Sequence, residues 1–160
     1  MNPMNILVLC TGNSARSILL ESILNHTSGG RIIAYSAGSN PTGKVHPQSL
    51  KLLTSLGHDI SNARSKSWDE FAAKDAPVMD AVITVCGSAA AETCPMWPGV
   101  PIRCHWGVED PASCTDDCDQ AFRTAYDILA RRAAGLLTIP FETLGAATLQ
   151  TTLADIGKLT

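Results

Sequence analysis

An apolar run that ends in a cysteine, followed without a break by a loop of small polar residues closing on an arginine, narrows what this chain can fold into. Ile6-Leu7-Val8-Leu9 has the make-up of a buried strand, Cys10-Thr11-Gly12-Asn13-Ser14-Ala15-Arg16-Ser17 follows it, and a helix-like segment begins at Ser17. A strand that feeds a short loop into a helix N-terminus aims consecutive backbone N–H groups at one point, where the helix dipole favours negative charge. The same field favours a thiolate over a thiol, so Cys10 is expected to be a nucleophile at neutral pH. Thr11, Gly12, Asn13, Ser14 and Ala15 supply the cradle. Arg16 completes it, because a guanidinium offers a planar fork to a tetrahedral oxyanion. The alternative, a packing cysteine in an ordinary strand-to-helix turn, leaves this loop composition unexplained.

The chain has 160 residues, 45% of them hydrophobic and 17% charged, which suits one globular domain. A net charge of −3 argues against nucleic acid as a partner, since affinity there rests on Lys and Arg. No run approaches the roughly 18 apolar residues of a membrane span, and the N-terminus lacks the marks of a signal peptide. A cytoplasmic monomer with no membrane partner is the expectation. Six cysteines in a reducing compartment point to catalytic, redox or metal roles rather than to a disulfide framework. No C-x-x-C pair occurs, and His26, His46, His58 and His105 have no metal-ligand spacing, so no metal is expected.

Apolar runs alternate with helical patterns. Strands are expected at Met4–Leu9, Arg31–Ser36, Ala81–Val85 and Pro101–Trp106, and helices at Ser17–Asn25, His46–Leu56, Ser67–Lys74 and about Asp119–Leu136. Ser67 with Glu70 three residues on has the form of a capping box. In the long final helix Phe122, Ala125, Leu129, Ala133 and Leu136 share one face. The alternation implies an α/β fold, three layers αβα, around a four-stranded parallel sheet. Residues 1–139 form the catalytic domain in this reading. Residues 140–160 are a C-terminal extension, either a terminal helix packed outside or a loose tail.

Ligands of such sheets bind beyond the carboxyl ends of the strands, which gathers Cys10, Cys86 and Asp110 at one edge. Pro111 restricts Asp110 to an extended backbone, so its carboxyl can be held over the anion loop to protonate a departing oxygen. Glu109 is its neighbouring competitor, and an ordinary Asp-Pro turn is the plainer reading. Cys86 and Cys94 bracket an Ala-rich segment. Two helical turns would hold their Cα atoms roughly 12 Å apart, too far for a disulfide, so the pair closes only if the segment unwinds. Two stray packing cysteines are the alternative.

Taken together, Cys10-Thr11-Gly12-Asn13-Ser14-Ala15-Arg16-Ser17, Val85-Cys86-Gly87, Cys94-Pro95, His105-Trp106-Gly107 and Asp110-Pro111-Ala112 resemble the arsenate reductases of the low-molecular-weight tyrosine-phosphatase fold, disulfide-relay type. The resemblance runs from about Asn5 to Leu137. It implies that Cys10, aided by a hydrogen bond from Ser17, attacks arsenic while Asp110 protonates the leaving hydroxyl. Cys86 then attacks Cys10 and arsenite departs, and Cys94 moves the disulfide outward to Cys86–Cys94. An external thiol reductant opens that bond: thioredoxin, with glutaredoxin or glutathione as the alternative. No bound cofactor is implied, and phosphate or sulfate would compete for the loop.

The rival within the fold is a low-molecular-weight protein tyrosine phosphatase, which needs Cys10, Arg16 and Asp110 but no relay. Phosphatases of this kind usually carry an aromatic residue where this chain has Ala112. A second rival is a non-enzymatic thiol protein that sequesters arsenite or a soft metal, to which Cys104, Cys114 and Cys118 lend some support; the plainer reading leaves these three unassigned, as incidental surface or partly buried cysteines before the long helix. Some members of the resembling family bind a monovalent cation. Asn13, Glu21, Ser36 and Asp69 are polar groups in suitable positions, but solvated or capping roles serve as well, and no cation is assigned to them.

Overall fold

The computed structural model describes residues 2–87, 97 and 101–160. Four strands, β1 (Met4–Leu9), β2 (Ile32–Ala37), β3 (Ala81–Thr84) and β4 (Ile102–His105), all run parallel in the order β2-β1-β3-β4. Leu7 is registered against Tyr35 on one side and Val82 on the other, and Val82 against Arg103. In β1, Ile6, Leu7, Val8 and Leu9 are at most 1% exposed, so both faces of this central strand are covered. That explains its unbroken apolar sequence, as in parallel sheets generally. The expected α/β class with a four-stranded parallel sheet is what the chain adopts.

Among the described residues the α-helices are α1 (Arg16–Thr27), α2 (Pro47–Ser55), α3 (Cys118–Leu137) and α4 (Ala146–Ile156). In α1 the apolar stripe Ile18, Leu19, Leu20, Ile23 and Leu24 is buried. Pro47 sits in the first turn of α2, whose start is capped by His46 Nδ1 accepting from the Gln48 N–H at 3.1 Å. Gly57, at φ +82°, leads the chain away after the C-cap Leu56. In α3 the five residues expected on one face are buried together. The segment expected as a helix from Ser67 is a single 3-10 turn, Trp68–Phe71. Ser67 Oγ accepts from the Asp69 N–H, but Glu70 turns to Arg64 at 2.7 Å instead of closing a capping box. Among the described residues no helix is long and apolar enough to cross a membrane.

The C-terminal residues enter the core. Phe141, Leu149, Leu153 and Ile156 are buried with it, and the Trp106 indole N–H donates to the Leu153 carbonyl at 2.8 Å. Burial of each such apolar side chain stabilises by about 1.5–3 kcal/mol. Gly157 lies close against β4, where a Cβ would come within 2.8 Å of the His105 carbonyl oxygen. Arg31 ties the start of β2 to this region. Its guanidinium forks onto both Glu142 oxygens at 2.7 Å, donates to the Leu137 and Ile139 carbonyls, and lies over the Phe141 ring.

The Arg31 fork holds the Glu142 carboxyl down at about 2, against an ordinary value of about 4.3. A carboxyl lower in the folded than in the unfolded chain adds stability that is complete above its unfolded value and is lost as pH falls towards its folded one. Acid titration of the unfolding free energy should therefore show a loss for the wild type between about pH 4.3 and about 2. In Glu142→Gln that part of the loss should disappear, leaving a protein less stable at neutral pH and flatter towards acid.

Candidate active site

Between β1 and β3 the strand order changes direction, because β2 lies to one side of β1 and β4 lies beyond β3. The crevice past the strand ends at such a point is where ligands bind in open α/β sheets. Cys10 leaves β1 there and Cys86 follows β3 one residue after Val85, whose N–H is bonded to the Leu9 carbonyl. The loop from Cys10 to α1 is turned so that its carbonyls face away from the crevice. The Thr11 carbonyl accepts from Asn40 N–H, and the Gly12 carbonyl from Thr42 N–H and Ser65 Oγ. The Ser14 carbonyl accepts from His46 N–H and Ser49 Oγ. Among the described residues the N–H groups of Asn13 to Ser17 find no acceptor, and Ala15 at the N-cap gives α1 no side-chain cap. Unsatisfied donors at an uncapped helix start are an anion site in waiting.

Asn13 makes the turn possible. It adopts φ +45°, a conformation that asparagine tolerates better than most residues. Fully buried, it donates from Nδ2 to Ser17 Oγ at 2.8 Å and accepts at Oδ1 from the Lys66 N–H at 2.9 Å. Ser17 Oγ, itself buried, uses a lone pair on Asn13 and so keeps its own proton to give.

Arg16 opens α1. Its Nη1 donates to the Val108 carbonyl at 3.0 Å, Nη2 stands 3.7 Å from Asp110 Oδ2, and the buried Nε has no partner among the described residues. A buried guanidinium N–H without an acceptor is the group an oxyanion in the loop would satisfy. Asp110 has the extended backbone that Pro111 requires, at φ −72° and ψ 108°, and caps the 3-10 turn Pro111–Ser113 through Oδ1 and the Ala112 N–H. Its side chain remains 45% exposed, open to the crevice side of Arg16. Glu109, the neighbouring carboxylate, is exposed.

Cys86 stands beside Cys10. Cys10 and Cys86 are 6% and 4% exposed, and the Thr11 N–H donates to Cys86 Sγ at 3.3 Å. The Cys86 thiol beside it and burial raise the Cys10 pKa, against the Arg16 guanidinium and the Gly12 N–H, which favour the thiolate. Two thiols in contact share one charge at most. A thiolate at Cys10 therefore depends on Cys86 keeping its proton or turning away.

Cys94 lies outside the described residues. Cys104 sits in β4, away from the loop, where burial pushes its thiol up to about 12. Cys114 and Cys118, read from the sequence as two unassigned thiols, are joined in a disulfide, their Cα atoms 5.5 Å apart. Among the described residues no three His, Cys, Asp or Glu side chains converge as a metal site.

Three residues that hold the site were not foreseen. Gly38 lies against the loop so closely that a Cβ would run into the Thr11 carbonyl oxygen and come within 2.8 Å of that of Cys10. Lys66 is 7% exposed; its ammonium donates to the Arg64 carbonyl at 3.1 Å and Ser36 Oγ at 3.4 Å, and stands 3.9 Å from Glu21. Burial pushes Glu21 up and Lys66 down, and each charge opposes the other's shift. Of the polar groups weighed as cation ligands, Glu21 and Ser36 thus face an ammonium from the chain itself. Arg132, buried in α3, fixes the approach to Asp110 by donating to the Trp106 and Gly107 carbonyls at 2.8 and 3.1 Å. Only Gly38 carries a signal in the sequence, as a glycine in Ala37-Gly38-Ser39-Asn40-Pro41-Thr42-Gly43, a run of turn-forming residues.

Compared with known proteins, residues 5–150 match the family of low molecular weight phosphotyrosine protein phosphatases. An arsenate reductase of Halalkalibacterium halodurans is 38% identical over 135 residues, covering 82% of this chain and 94% of that protein. A solved arsenate reductase in its phosphate-binding state superimposes with a TM-score of 0.70 at 28% identity, covering 84% of this chain and 97% of that one. The thioredoxin-dependent arsenate reductase of Corynebacterium glutamicum gives 0.62 at 25% identity over 86% of this chain, which spans 63% of that protein's length.

Two outcomes follow from the geometry. In Cys86→Ala, alkylation of Cys10 by iodoacetamide, followed at its own peptide by mass spectrometry, should rise at lower pH than in the wild type, because the neighbour that raises it is gone. In Arg16→Lys, inorganic phosphate should bind about 10–100-fold more weakly by calorimetry, the worth of a charge-assisted hydrogen bond of about 1.5–3 kcal/mol.

Proposed function

The chain belongs to the low molecular weight phosphotyrosine protein phosphatase family, and we propose that within it this chain reduces arsenate to arsenite with electrons from an external thiol reductant, thioredoxin. The observation that carries the reading is the Cys86 sulfur placed against Cys10 at the lip of the oxyanion loop. A phosphatase has no use for that second thiol. Arsenate and phosphate share shape and charge, so the loop cannot separate them well. As(V), however, takes two electrons from a thiol, whereas a phosphocysteine can only be hydrolysed.

In the proposed cycle arsenate accepts hydrogen bonds from the Asn13–Ser17 N–H groups and from Arg16. Cys10 Sγ, assisted by the Ser17 hydroxyl, bonds to arsenic as a hydroxyl leaves with a proton from Asp110. Cys86 Sγ then attacks Cys10 Sγ. The S–As bond breaks with its electron pair on arsenic, now As(III), and a Cys10–Cys86 disulfide remains. Cys94 attacks Cys86, freeing Cys10, and a thioredoxin dithiol reduces Cys86–Cys94. The naming of thioredoxin is supported by the structural likeness to a thioredoxin-dependent arsenate reductase. Against the phosphatase reading stands Ala112, which offers no aromatic wall for a phenol ring.

Arsenite production should be measured with thioredoxin, thioredoxin reductase and NADPH. Wild type should turn over, and Cys10→Ser, Cys86→Ser and Cys94→Ser should each fall to the rate without enzyme, while Cys86→Ser still binds phosphate. Hydrolysis of para-nitrophenyl phosphate dependent on Cys10 and Asp110, with no arsenite formed by any thiol reductant, would overturn the reading.

A further inference from the structure

We propose that the Cys114–Cys118 pair, once reduced, is a dithiol site that captures trivalent arsenic as neutral arsenous acid; the ligand, though not the site's geometry, rests on the function proposed above. The two sulfurs are bridged in the structure with Cα atoms 5.5 Å apart, four residues apart in sequence. Nothing in the reductive cycle uses them. Both residues are part-exposed, unlike Cys10 and Cys86, which are buried against each other; Cys104, also part-exposed, is a single free thiol in β4. An external dithiol can therefore reach this bridge.

The anchoring of the two sulfurs differs. Cys118 is the first residue of α3, fixed by Asp117, whose carboxylate accepts from the Gln120 N–H at 3.2 Å. Cys114 lies in the loop after the Asp110-capped turn Pro111–Ser113, outside any helix. A pair near enough to form a disulfide, with one member on a helix and the other on a loop, can open by the small amount that a single arsenic atom between two sulfurs demands. Soft thiolate donors suit a soft, thiophilic centre.

The charge around the pair sorts the two arsenic species. Asp116, Asp117 and Asp119 stand on the intervening loop and first turn, and of these Asp119 is paired with Lys51 at 3.3 Å. A carboxylate-rich surface repels the arsenate oxyanion but not uncharged arsenous acid, so the product is favoured over the substrate. The steps balance. A reductant dithiol takes the disulfide's place, leaving two thiols on the chain and its own sulfurs bridged. As(OH)3 then condenses with both thiols, two As–O bonds are replaced by two As–S bonds, and two waters leave. Arsenic stays trivalent.

The test uses the full-length chain, thioredoxin and sodium arsenite, read by intact-mass spectrometry under non-denaturing conditions. Cys10→Ser/Cys86→Ser/Cys94→Ser should take up one arsenic per chain after reduction and none before it. Adding Cys118→Ser should abolish the uptake. In the otherwise native chain, Cys114→Ser/Cys118→Ser should bind one arsenic fewer than wild type while arsenate turnover is unchanged. The proposal is overturned if thioredoxin leaves the bridge intact, if the reduced triple variant takes up no arsenic, or if its uptake survives Cys118→Ser. Arsenite capture without any arsenate turnover in wild type would overturn the function proposed above and leave the dithiol site standing; turnover without capture would do the reverse.

Discussion

The orientation of the peptide units between Cys10 and Ser17 is the constraint on which the rest of the site depends. A peptide N–H can point into the crevice only if the carbonyl across the same bond points out, and an outward carbonyl must find a donor. Asn40, Thr42, Ser65, His46 and Ser49 supply those donors. They come from the segment after β2, the start of α2 and the stretch before the Trp68 turn. The loop is thus shaped by chain distant from it in sequence. Asn13 in its left-handed conformation is the hinge, locked by the Lys66 N–H on one side and Ser17 on the other. Gly38 permits the whole layer to close up, because any side chain there would displace the Thr11 and Cys10 carbonyls. The cost of aligning donors is met during folding, so none remains for when an anion arrives.

The strand order supplies the second feature of the site, another thiol beside Cys10. Because β1 and β3 are neighbours and parallel, residues just past their ends emerge side by side. Cys10 and Cys86 are therefore brought together by register rather than by loop conformation. Val85 reinforces this, donating to the Leu9 carbonyl while its own carbonyl accepts from Val108. Val108 in turn accepts from the Arg16 guanidinium through its carbonyl, so the strand ends that carry Cys10 and Cys86, Arg16 and the Asp110 loop share one connected set of hydrogen bonds. Mutual contact has a price in acidity, since Cys86 and burial hold the Cys10 proton on. Contact close enough for sulfur to attack sulfur is also contact close enough to disfavour a second charge.

The parts legible in the sequence were those set by local pattern. The apolar run of β1, the His46–Leu56 helix and the five-residue stripe of α3 each depend on near neighbours and came out within a residue or two. That Cys10 and Arg16 bracket a strand–loop–helix junction could be read because such a junction is itself local. The Ser67–Lys74 helix shrank to one 3-10 turn because Glu70, needed for the capping box, is drawn to Arg64, a tertiary preference no window of sequence reveals. Lys66 and Arg132 were invisible for the same reason. Each is an ordinary basic residue whose meaning comes only from what surrounds it in space. The Cys114–Cys118 pair was seen as two thiols, but whether i and i+4 cysteines meet depends on where a helix begins. Here α3 begins on Cys118, and Cys114 is left in the loop that turns back towards it.

That distinction between local and spatial information bears most on the C-terminal residues, which fall partly beyond the family match at residue 150. Arg132 holds the Trp106 and Gly107 carbonyls with Nη1 and the Leu159 carbonyl with Nε. The Trp106 indole is bonded to Leu153, and Gly157 packs against both His105 and Trp106. His105 to Gly107 is the segment that leads from β4 into the Asp110 loop. A guanidinium buried among carbonyls is stable there only while all its acceptors stay in place, since losing one leaves a charge short of its partners in a poorly solvating interior. The final turn of α4 and the residues after it therefore bear on the same backbone that sets Asp110 opposite Arg16. Position at the end of the chain, and beyond the span shared with relatives, does not make these residues peripheral to the site.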